Sequence, residues 1–261
     1  MNEKITSCEK HGCQIYHAKV KISGSEQIIE ICPECEKEEI MKMESLLRQE
    51  AKIKALLSHT YKVFERESIY SQELSDKTLE NYTADNSTNE QALNFMKRML
   101  RDYLKSETGN MILSGPPGIG KSHLSIGLAK ALNEKSKECE NPKSVIFIST
   151  SALFNKIEES FNGRGDFTEN YAVDLLSKVD FLFLDDLGKE SSMSANLKEA
   201  NDWRQRVLFK ILDSRQTTFF NTNLSSNDIK TIYNQALADR IFKGASKHIF
   251  KFPETMESRR Y

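Results

Sequence analysis

The feature that most constrains the fold of this chain is a glycine-rich octapeptide, Gly115–Ser122, with the pattern G-x-x-x-x-G-K-S. It follows the apolar run Met111–Leu113 and precedes His123–Leu132, a segment with the pattern of an amphipathic helix. The octapeptide is specific for phosphate when strand, turn and helix occur in this order. Glycines let backbone N–H groups turn inward around a phosphate, where a side chain would collide. The sequence therefore predicts a P-loop, and a chance glycine-rich turn is the minor alternative.

Two side chains at the end of the octapeptide have distinct predicted roles. Lys121 would reach the β- and γ-phosphates of the nucleotide, and Ser122 would ligate Mg²⁺. The helix that begins near Gly120 would direct the positive end of its dipole at the anion. The predicted ATP-binding residues are Gly115, Pro116, Pro117, Gly118, Ile119, Gly120, Lys121, Ser122 and His123.

A P-loop also needs an acidic partner for the metal, and Val179–Asp186 supplies one. Its apolar run suits a central parallel strand that is buried on both faces. Two carboxylates would then emerge at the carboxyl edge of the sheet, where open α/β sheets bind ligands. We expect Asp185 to contact Mg²⁺ and Asp186 to orient or activate the attacking water. Alone, the segment would be read as a strand that ends in an acidic turn, but the P-loop favours the metal site.

Strand-like and helix-like segments alternate after the P-loop, which predicts an α/β fold with a parallel sheet flanked by helices. Val145–Ile148, Thr217–Asn223 and His248–Phe252 are the further strand candidates. Helices are predicted over 152–161, 171–178 and 197–214. Asn223 would lie beside the γ-phosphate, although a turn-forming asparagine after a strand explains it equally well on spacing alone.

Four of the five cysteines cluster with a histidine in the first 35 residues, in a pattern typical of a zinc site. Cys8 and His11 form a C-x-x-H pair, and Cys32 and Cys35 form a C-x-x-C pair. The segment between the pairs alternates weakly and would form a hairpin that brings them together. Tetrahedral Zn²⁺ prefers such ligands. Cys13 could replace His11, and a redox C-x-x-C or inert reduced cysteines are the alternatives to zinc.

The composition bounds the organisation of the chain. A length of 261 residues with 38% hydrophobic content allows one large or two modest domains. The net charge of -1 gives no global attraction to nucleic acid, so any such binding needs a local patch. Residues 36–59 lack glycine and proline and predict a long helix, after which the sequence becomes polar. We predict a zinc-binding domain at 1–60, a linker at 61–75 and an ATPase domain at 76–261.

Targeting signals are the last feature that the composition addresses. No apolar segment is long enough to span a bilayer, and the polar amino terminus lacks the apolar region of a secretory signal. We therefore expect a cytoplasmic protein that does not associate with membranes.

Several motifs together resemble the AAA+ ATPases of the DnaC/DnaI type, which are bacterial and phage loaders of the replicative helicase. The motifs are GPPGIGKSHL, FLFLDDLG, WRQRVLFKILDSR, TNL after a strand, ADRIF, the terminal ESRR and the upstream TLENY. The paired C-x-x-H and C-x-x-C are similar to the zinc module with which such loaders hold the helicase. The resemblance extends from Cys8 to Arg260. The P-loop alone is specific only for nucleotide, and the combination indicates a loader.

The resemblance implies roles that the residues alone do not assign. Asn223 would be the sensor that polarises the attacking water, and Arg240 would be the arginine finger that reaches the γ-phosphate of a neighbouring subunit. Arg260 would be the late sensor arginine of the same subunit, with Arg259 as the alternative. The acidic strand ends Asp-Asp where many AAA+ motors have Asp-Glu. The shorter side chain of Asp186 suits a slow switch better than a fast motor.

The segment between residues 149 and 179 resembles the single-strand-binding insertion of initiators and loaders. At its tip, Phe161, Asn162 and Arg164 would stack a base and meet a phosphate of single-stranded DNA. A loop helix packed on the core is the competing interpretation of this segment.

The resemblance implies an ATPase that hydrolyses ATP to ADP and phosphate and loads a hexameric replicative helicase onto single-stranded DNA. It implies ATP, Mg²⁺ and Zn²⁺ as cofactors and self-association through the ATPase domain when ATP is bound. The alternative is an IstB-like transposition helper that binds duplex DNA and a transposase. The paired C-x-x-H and C-x-x-C favour the loader, because such helpers usually lack them. A nucleotide-binding adaptor with little hydrolysis is a third interpretation.

Overall fold

A computed structural model describes residues 7–22, 25–161, 163–189 and 200–259 of the chain. The chain divides into two compact units, Met1–Leu56 and Leu57–Tyr261. Within the described residues, every helix is too short or too polar to cross a membrane.

The first unit contains an antiparallel hairpin followed by a long helix. Strand β1 (Tyr16–Ile22) pairs with β2 (Ser25–Ile31) along its whole length, so that Tyr16 lies opposite Ile31. Helix α1 runs from Pro33 to His59 and contains no buried residue. Proline is favourable at the first helical position, because the N–H that it lacks would have no partner there. The predicted hairpin and helix are both present.

The second unit is built on a five-stranded sheet. Its strands are β3 (Met111–Ser114), β4 (Val145–Ser149), β5 (Phe181–Leu187), β6 (Thr218–Thr222) and β7 (Ile249–Lys251). They lie in the order β4-β5-β6-β3-β7, and every neighbouring pair is parallel. The four strands other than β7 are almost wholly buried, as expected for apolar strands in a sheet covered on both faces. The predicted α/β fold with a parallel sheet is confirmed.

Helices cover both faces of this sheet. They are α2 (Tyr61–Glu67), α3 (Ser87–Leu104), α4 (Lys121–Ser136), α5 (Thr150–Phe161), α6 (Glu169–Lys178), α7 (Asp202–Asp213), α8 (Ser226–Ile232) and α9 (Gln235–Phe242). One buried apolar cluster joins Phe95 of α3 and Leu124 of α4 to the sheet, and a second joins Leu153 of α5 and Leu208 of α7 to it. The strands are thus held in fixed register, which fixes the positions of the residues at their carboxyl ends.

Polar side chains determine where several of these helices begin. Asn86, Thr168 and Ser225 each accept a hydrogen bond from a backbone N–H in the first turn of α3, α6 and α8, respectively. Such caps satisfy N–H groups that have no partner within the helix. The helix predicted at 197–214 corresponds to α7, and residues 197–199 lie outside the described part of the chain.

Residues 61–75, for which the sequence predicts a linker, are a folded part of the second unit. Helix α2 buries Val63 and Phe64, and a short 3-10 turn follows at Gln72–Leu74. The N–H of Ile69 donates to the carbonyl oxygen of Phe147 in β4 at 2.8 Å. The prediction of a linker is corrected accordingly, because a few apolar side chains in a polar stretch suffice to anchor it to the sheet.

Candidate nucleotide-binding site and metal cluster

The carboxyl edge of the sheet brings together predicted site residues from three parts of the sequence. Lys121 begins α4 directly after the glycine-rich turn, Asp185 lies in β5, and Asn223 follows β6. The Nζ of Lys121 donates to Oδ1 of Asn223 at 2.7 Å, and the Oγ of Ser122 donates to Oδ1 of Asp185 at 3.0 Å. Parallel strands end at one edge of a sheet, which explains this convergence.

The glycines of the P-loop permit close packing by other segments as well as an inward-facing backbone. Gly118 and Gly120 have φ angles of +81° and +96°, which side chains rarely tolerate. A Cβ at Gly118 would lie 2.2 Å from the Oγ of Ser258, and one at Gly120 would lie 3.0 Å from the ring of Tyr82. The P-loop is therefore enclosed by residues that lie far from it in the sequence. Lys121 also donates to the carbonyl oxygens of Gly115 and Pro116, at 2.8 and 2.6 Å.

Asp185 is buried at the centre of the site. Its Oδ1 accepts hydrogen bonds from Ser122 and from the Nδ2 of Asn221, at 3.0 and 2.7 Å. Burial raises the pKa of Asp185, while the hydrogen bond from Asn221 opposes this rise and the nearby charge of Asp186 adds to it. Carboxylate and hydroxyl oxygens are ligands that suit Mg²⁺, and a bound cation would favour the ionised carboxylate. Asp185 and Ser122 are therefore the residues that could hold the metal.

Asp186 has a different environment from its neighbour. Its φ angle is +55°, and the pairing of β5 with β6 shifts register between Leu184 and Leu187. A left-handed conformation costs a non-glycine residue about 1–2 kcal/mol, and such strain concentrates at functional sites. The Nζ of Lys189 lies 3.0 Å from its carboxylate. Asp186 lines the cavity over the P-loop, where a catalytic carboxylate would be required.

The cavity over the P-loop has a volume of about 500 Å³, within the usual range for a ligand of nucleotide size. Its lining includes the predicted site residues Pro117, Gly118, Gly120, Lys121, Ser122, His123, Asp186 and Asn223. From elsewhere in the second unit it is lined by Leu74, Lys77, Asn81, Thr83, Lys189 and Arg259.

His123 connects α4 to the TLENY segment. Its Nε2 lies 2.9 Å from the carbonyl oxygen of Thr78 and 2.8 Å from Oδ1 of Asn81. Both partners are acceptors, so Nε2 carries the proton and donates. The imidazole also packs edge-on against Tyr82, with ring centroids 5.1 Å apart. Burial lowers the pKa of His123 and favours the neutral ring.

Of the two arginines in the terminal ESRR motif, Arg259 lies at this cavity and Arg260 lies outside the described residues. The backbone N–H of Arg259 donates to the carbonyl oxygen of Gly118 at 2.9 Å. Its guanidinium donates to the carbonyl oxygen of Thr83 at 2.8 Å and pairs with Asp85 at 3.1 Å. It also lies over the ring of Tyr82, 5.2 Å from the centroid. The carboxyl-terminal segment thus contacts the P-loop.

Arg240, the predicted arginine finger, lies on α9 and is not among the residues that line the P-loop cavity. Its Nε and Nη2 contact Oδ1 of Asp213 at 2.9 and 2.8 Å. The guanidinium lies over the ring of Phe209, 5.5 Å from the centroid, and the side chain is 37% exposed. Arg240 is therefore accessible, and its action on a neighbouring subunit remains a prediction.

Two of the three residues predicted to contact single-stranded DNA are described by the structure, and they have separate environments. Phe161, at the end of α5, is 61% exposed and packs edge-on against Trp203, with centroids 5.4 Å apart. Arg164 lines a surface cavity of about 670 Å³ that also includes Arg66 and Lys156. Asn162 lies outside the described residues. Binding of DNA by these residues remains a prediction.

Comparison with known proteins identifies the family to which this fold and site belong. The family described as "IstB-like ATP binding protein" matches residues 36–253 of the chain. The chain belongs to the IstB-like ATP-binding family. Membership of this family supports ATP binding by the chain. The Cys/His cluster of the first unit ends at Cys35 and therefore precedes the region that matches this family.

Individual relatives of this IstB-like protein include helicase loaders and an insertion-sequence protein. It is 25% identical over 173 residues to the replicative helicase loader DnaC of Buchnera aphidicola subsp. Baizongia pistaciae, which covers 65% of this chain and 64% of that protein. It is 30% identical over 139 residues to a putative insertion sequence ATP-binding protein of Sinorhizobium fredii, covering 53% of this chain and 41% of that protein. The chain thus spans less than two thirds of the length of either relative.

A solved structure shares the fold. The crystal structure of the DnaC helicase loader is 20% identical to this IstB-like protein, with a TM-score of 0.57 over 70% of this chain and 100% of that chain. The predicted resemblance to DnaC-type AAA+ proteins is confirmed.

The Cys/His cluster in the first unit has the geometry of a tetrahedral metal site. The Sγ atoms of Cys8, Cys32 and Cys35 and a ring nitrogen of His11 all lie within 4.8 Å of one another. The Nδ1 of His11 lies 3.8, 3.7 and 3.4 Å from the three sulfurs, and the sulfurs of Cys8 and Cys35 are 3.7 Å apart. Zn–S and Zn–N bonds of about 2.3 and 2.0 Å place tetrahedral ligand atoms roughly 3.5–3.8 Å apart. The cluster is compatible with zinc.

Cys13, the alternative fourth ligand, is adjacent to this cluster but not part of it. Its Sγ lies 3.2 Å from that of Cys32, while His11 contacts all three cluster sulfurs. The geometry therefore favours His11. The N–H of Cys35 donates to the Sγ of Cys32 at 3.4 Å, and this bond is the main cause that lowers the pKa of Cys32 to about 6. A thiolate is the form that binds metal.

Two functional contacts escaped prediction from the sequence. The sequence does not predict the role of Asn221, which lies in β6 two residues before the predicted site residue Asn223. Residues two apart face the same side of an extended strand, so that spacing is a usable signal. The contacts of Arg259 with Thr83 and Asp85 join segments that are far apart in the sequence, and no local pattern indicates them.

Proposed function

We propose that this protein is an ATP-hydrolysing loader that places a hexameric replicative helicase on single-stranded DNA. The observation that carries the proposal is the presence, in one chain of an ATP-binding family, of a P-loop cavity and a zinc-compatible Cys/His cluster that precedes the IstB-like match. The similarity to helicase loaders named DnaC supports the choice of partner.

Hydrolysis would use groups that already converge on the P-loop. Lys121 would exchange its bonds to the carbonyl oxygens of Gly115 and Pro116 for the β- and γ-phosphates. Ser122 and Asp185 would hold Mg²⁺, which supplies positive charge at the phosphates when bound. Asp186 would orient the attacking water and accept its proton. Once Lys121 turns to the phosphates, Asn223 would be free to orient the same water.

The two arginines would act at different distances from the bound nucleotide. Arg259 lines the cavity and would sense the phosphates of its own subunit. Arg240 is partly exposed on α9 and would stabilise charge at the γ-phosphate of a neighbouring subunit. Assembly of ATP-bound subunits would therefore complete each site.

The first unit would provide the contact with the helicase. Zinc would fix the hairpin to the start of α1, as structural zinc does in small modules with little core. Helix α1 has no buried residue, and its exposed apolar side chains form a surface for a partner protein. These side chains are Ile40, Met41, Met43, Leu46, Leu47, Ile53 and Leu56.

Co-purification with a replicative helicase tests the loader proposal. The intact protein should retain the hexamer, and Cys8→Ser with Cys35→Ser should lose it because the first unit no longer holds zinc. Lys121→Ala should abolish ATP binding while retaining the helicase at its first unit. A helicase that binds neither the intact protein nor Lys121→Ala would reject the loader.

A transposition helper is the second candidate, favoured by the IstB-like match and the insertion-sequence relative. It can be separated from the loader by the DNA that stimulates ATP turnover. A loader should respond to single-stranded DNA, and a helper should respond to duplex DNA. The Asp186→Asn variant provides the control, since turnover that is independent of this carboxylate would instead support an adaptor with little hydrolysis.

A further inference from the structure

The outer nitrogen of His11 faces a carboxylate. Its Nδ1 lies among the cluster sulfurs, while its Nε2 lies 3.0 Å from Oε1 of Glu38. If Nδ1 binds a metal, Nε2 must carry the ring proton, so the bond to Glu38 is a donated N–H···O bond. The other carboxylate oxygen, Oε2, pairs with Lys10.

The position of Glu38 on α1 explains how this contact arises. Cys35 lies in the first turn of α1, and Glu38 lies one helical turn later on the same face. The imidazole of His11 contacts both side chains, at 3.4 Å from the Sγ of Cys35 and 3.0 Å from Oε1 of Glu38. Only 18% of the His11 side chain is exposed, so the ring has little freedom to turn.

We infer that Glu38 is a positioning residue for the zinc site. Its carboxylate selects the metal-binding tautomer of His11 and orients the Nδ1 of His11 toward the three thiolates. Carboxylates that accept a bond from the outer nitrogen of a metal-bound histidine raise the basicity of the ligand and fix its orientation. Their loss typically lowers metal affinity 10- to 100-fold. This inference rests on the proposal that the cluster binds zinc.

Zinc competition against a chromophoric chelator, with the full chain and zinc alone, tests the role of Glu38. Glu38→Ala should weaken zinc binding at least about tenfold. Glu38→Gln should lose less zinc affinity than Glu38→Ala, because its amide oxygen still accepts the hydrogen bond from the N–H of His11. Glu39→Ala is the matched control, since Glu39 is the next exposed glutamate of α1 and its loss should change the affinity less than twofold. Equal affinities of Glu38→Ala and Glu39→Ala would overturn the inference.

A His11→Cys background distinguishes positioning from a general effect of charge. A cysteine ligand has no outer nitrogen to orient, so Glu38→Ala should then have little effect on zinc affinity. An equally large loss in this background would show that Glu38 acts by charge alone and would overturn the inference. Failure of the wild-type chain to take up zinc would instead reject the zinc site itself. Co²⁺ substitution gives an independent readout, because its visible spectrum reports loss of the nitrogen ligand.

Discussion

Asn221 holds the carboxylate that is expected to contact Mg²⁺. Its Nδ2 donates to Oδ1 of Asp185 at 2.7 Å, while its own Oδ1 is a buried acceptor without a partner among the described residues. A buried acceptor without a hydrogen bond lowers the stability of the fold. The amide of Asn221 is therefore best explained by its Nδ2 group, which donates to Asp185. Asn221 thus orients Asp185 and favours its ionised form.

Replacement of Asn221 by alanine should therefore weaken metal binding. We expect Asn221→Ala to raise the Mg²⁺ concentration for half-maximal ATP turnover about tenfold, as is typical when an outer partner of a metal ligand is lost. Asn223→Ala is the matched control, because it loses a bond to Lys121 and should slow turnover without shifting the Mg²⁺ dependence. Identical Mg²⁺ curves for the two variants would contradict this role.

The raised pKa of Asp185 predicts a pH-dependent stability without nucleotide. A carboxyl whose pKa is higher in the folded state binds its proton more tightly there, so its contribution to stability is lost as the pH rises toward the folded pKa. Asp185→Asn should remove this loss and raise the free energy of unfolding by about 1 kcal/mol at neutral pH. Thermal unfolding across pH checks the difference, which should vanish in acid below about pH 4. A variant that is less stable at neutral pH would contradict it.

At the residue scale, the sequence predicts what is encoded locally. The P-loop is recognised because its glycines, Lys121 and Ser122 are contiguous and their spacing follows from the shape of a phosphate. The partner of Asp185 is not predicted, because Asn221 meets it only when β5 and β6 pair. The choice between His11 and Cys13 likewise depends on how a turn places each side chain.

At the scale of elements, long segments with strong patterns are predicted and short polar ones are not. The inner strands are predicted because a short continuous apolar run in this chain is best explained by a buried strand. Helix α2 is missed because only Val63 and Phe64 of its seven residues are buried, so its composition resembles a linker. Helices α8 and α9 are similarly short, and packing on neighbouring elements stabilises them more than propensity does.

The contact between the carboxyl-terminal segment and the P-loop predicts a severe effect of a small substitution. Gly118→Ala would place a Cβ 2.2 Å from the Oγ of Ser258 in a left-handed backbone conformation. We expect a loss of at least about 1 kcal/mol in the free energy of unfolding and weaker ATP binding. Adding Ser258→Gly should recover the part of the lost stability that the steric clash causes, but not the part that backbone strain causes. Calorimetric titration with ATP measures the binding, and thermal unfolding measures the stability. Full recovery of both in the double variant would contradict a contribution from backbone strain.

The first unit should depend on metal for its folding. A two-stranded hairpin is marginally stable alone, and α1 buries none of its residues. Removal of zinc by a chelator, or Cys32→Ser, should therefore lower helical content measured by circular dichroism. ATP binding by the second unit should persist under the same conditions, because its core and P-loop are formed entirely by residues after 57. Unchanged helical content without zinc would contradict this dependence.

At the scale of the whole molecule, the described residues of one chain gather only part of the predicted set of catalytic charges at the P-loop cavity. The basic residues among the described lining of the P-loop cavity are Lys77, Lys121, Lys189 and Arg259, while Arg240 pairs with Asp213 on another part of the surface. A second subunit that presents Arg240 would complete the set. ATP turnover should therefore increase more steeply than linearly with protein concentration until assembly is complete.

Mixing two inactive variants tests whether Arg240 acts between subunits. Arg240→Ala should bind ATP normally but lose about 10³-fold or more in turnover, as arginine fingers typically contribute. Lys121→Ala should fail to bind ATP but still present Arg240 to a neighbour. Turnover should therefore reappear in the mixture, because a Lys121→Ala subunit completes the intact site of an Arg240→Ala subunit. If the mixture stays inactive while both variants assemble, Arg240 acts within its own subunit, and its bond to Asp213 must then break before it can reach the phosphate.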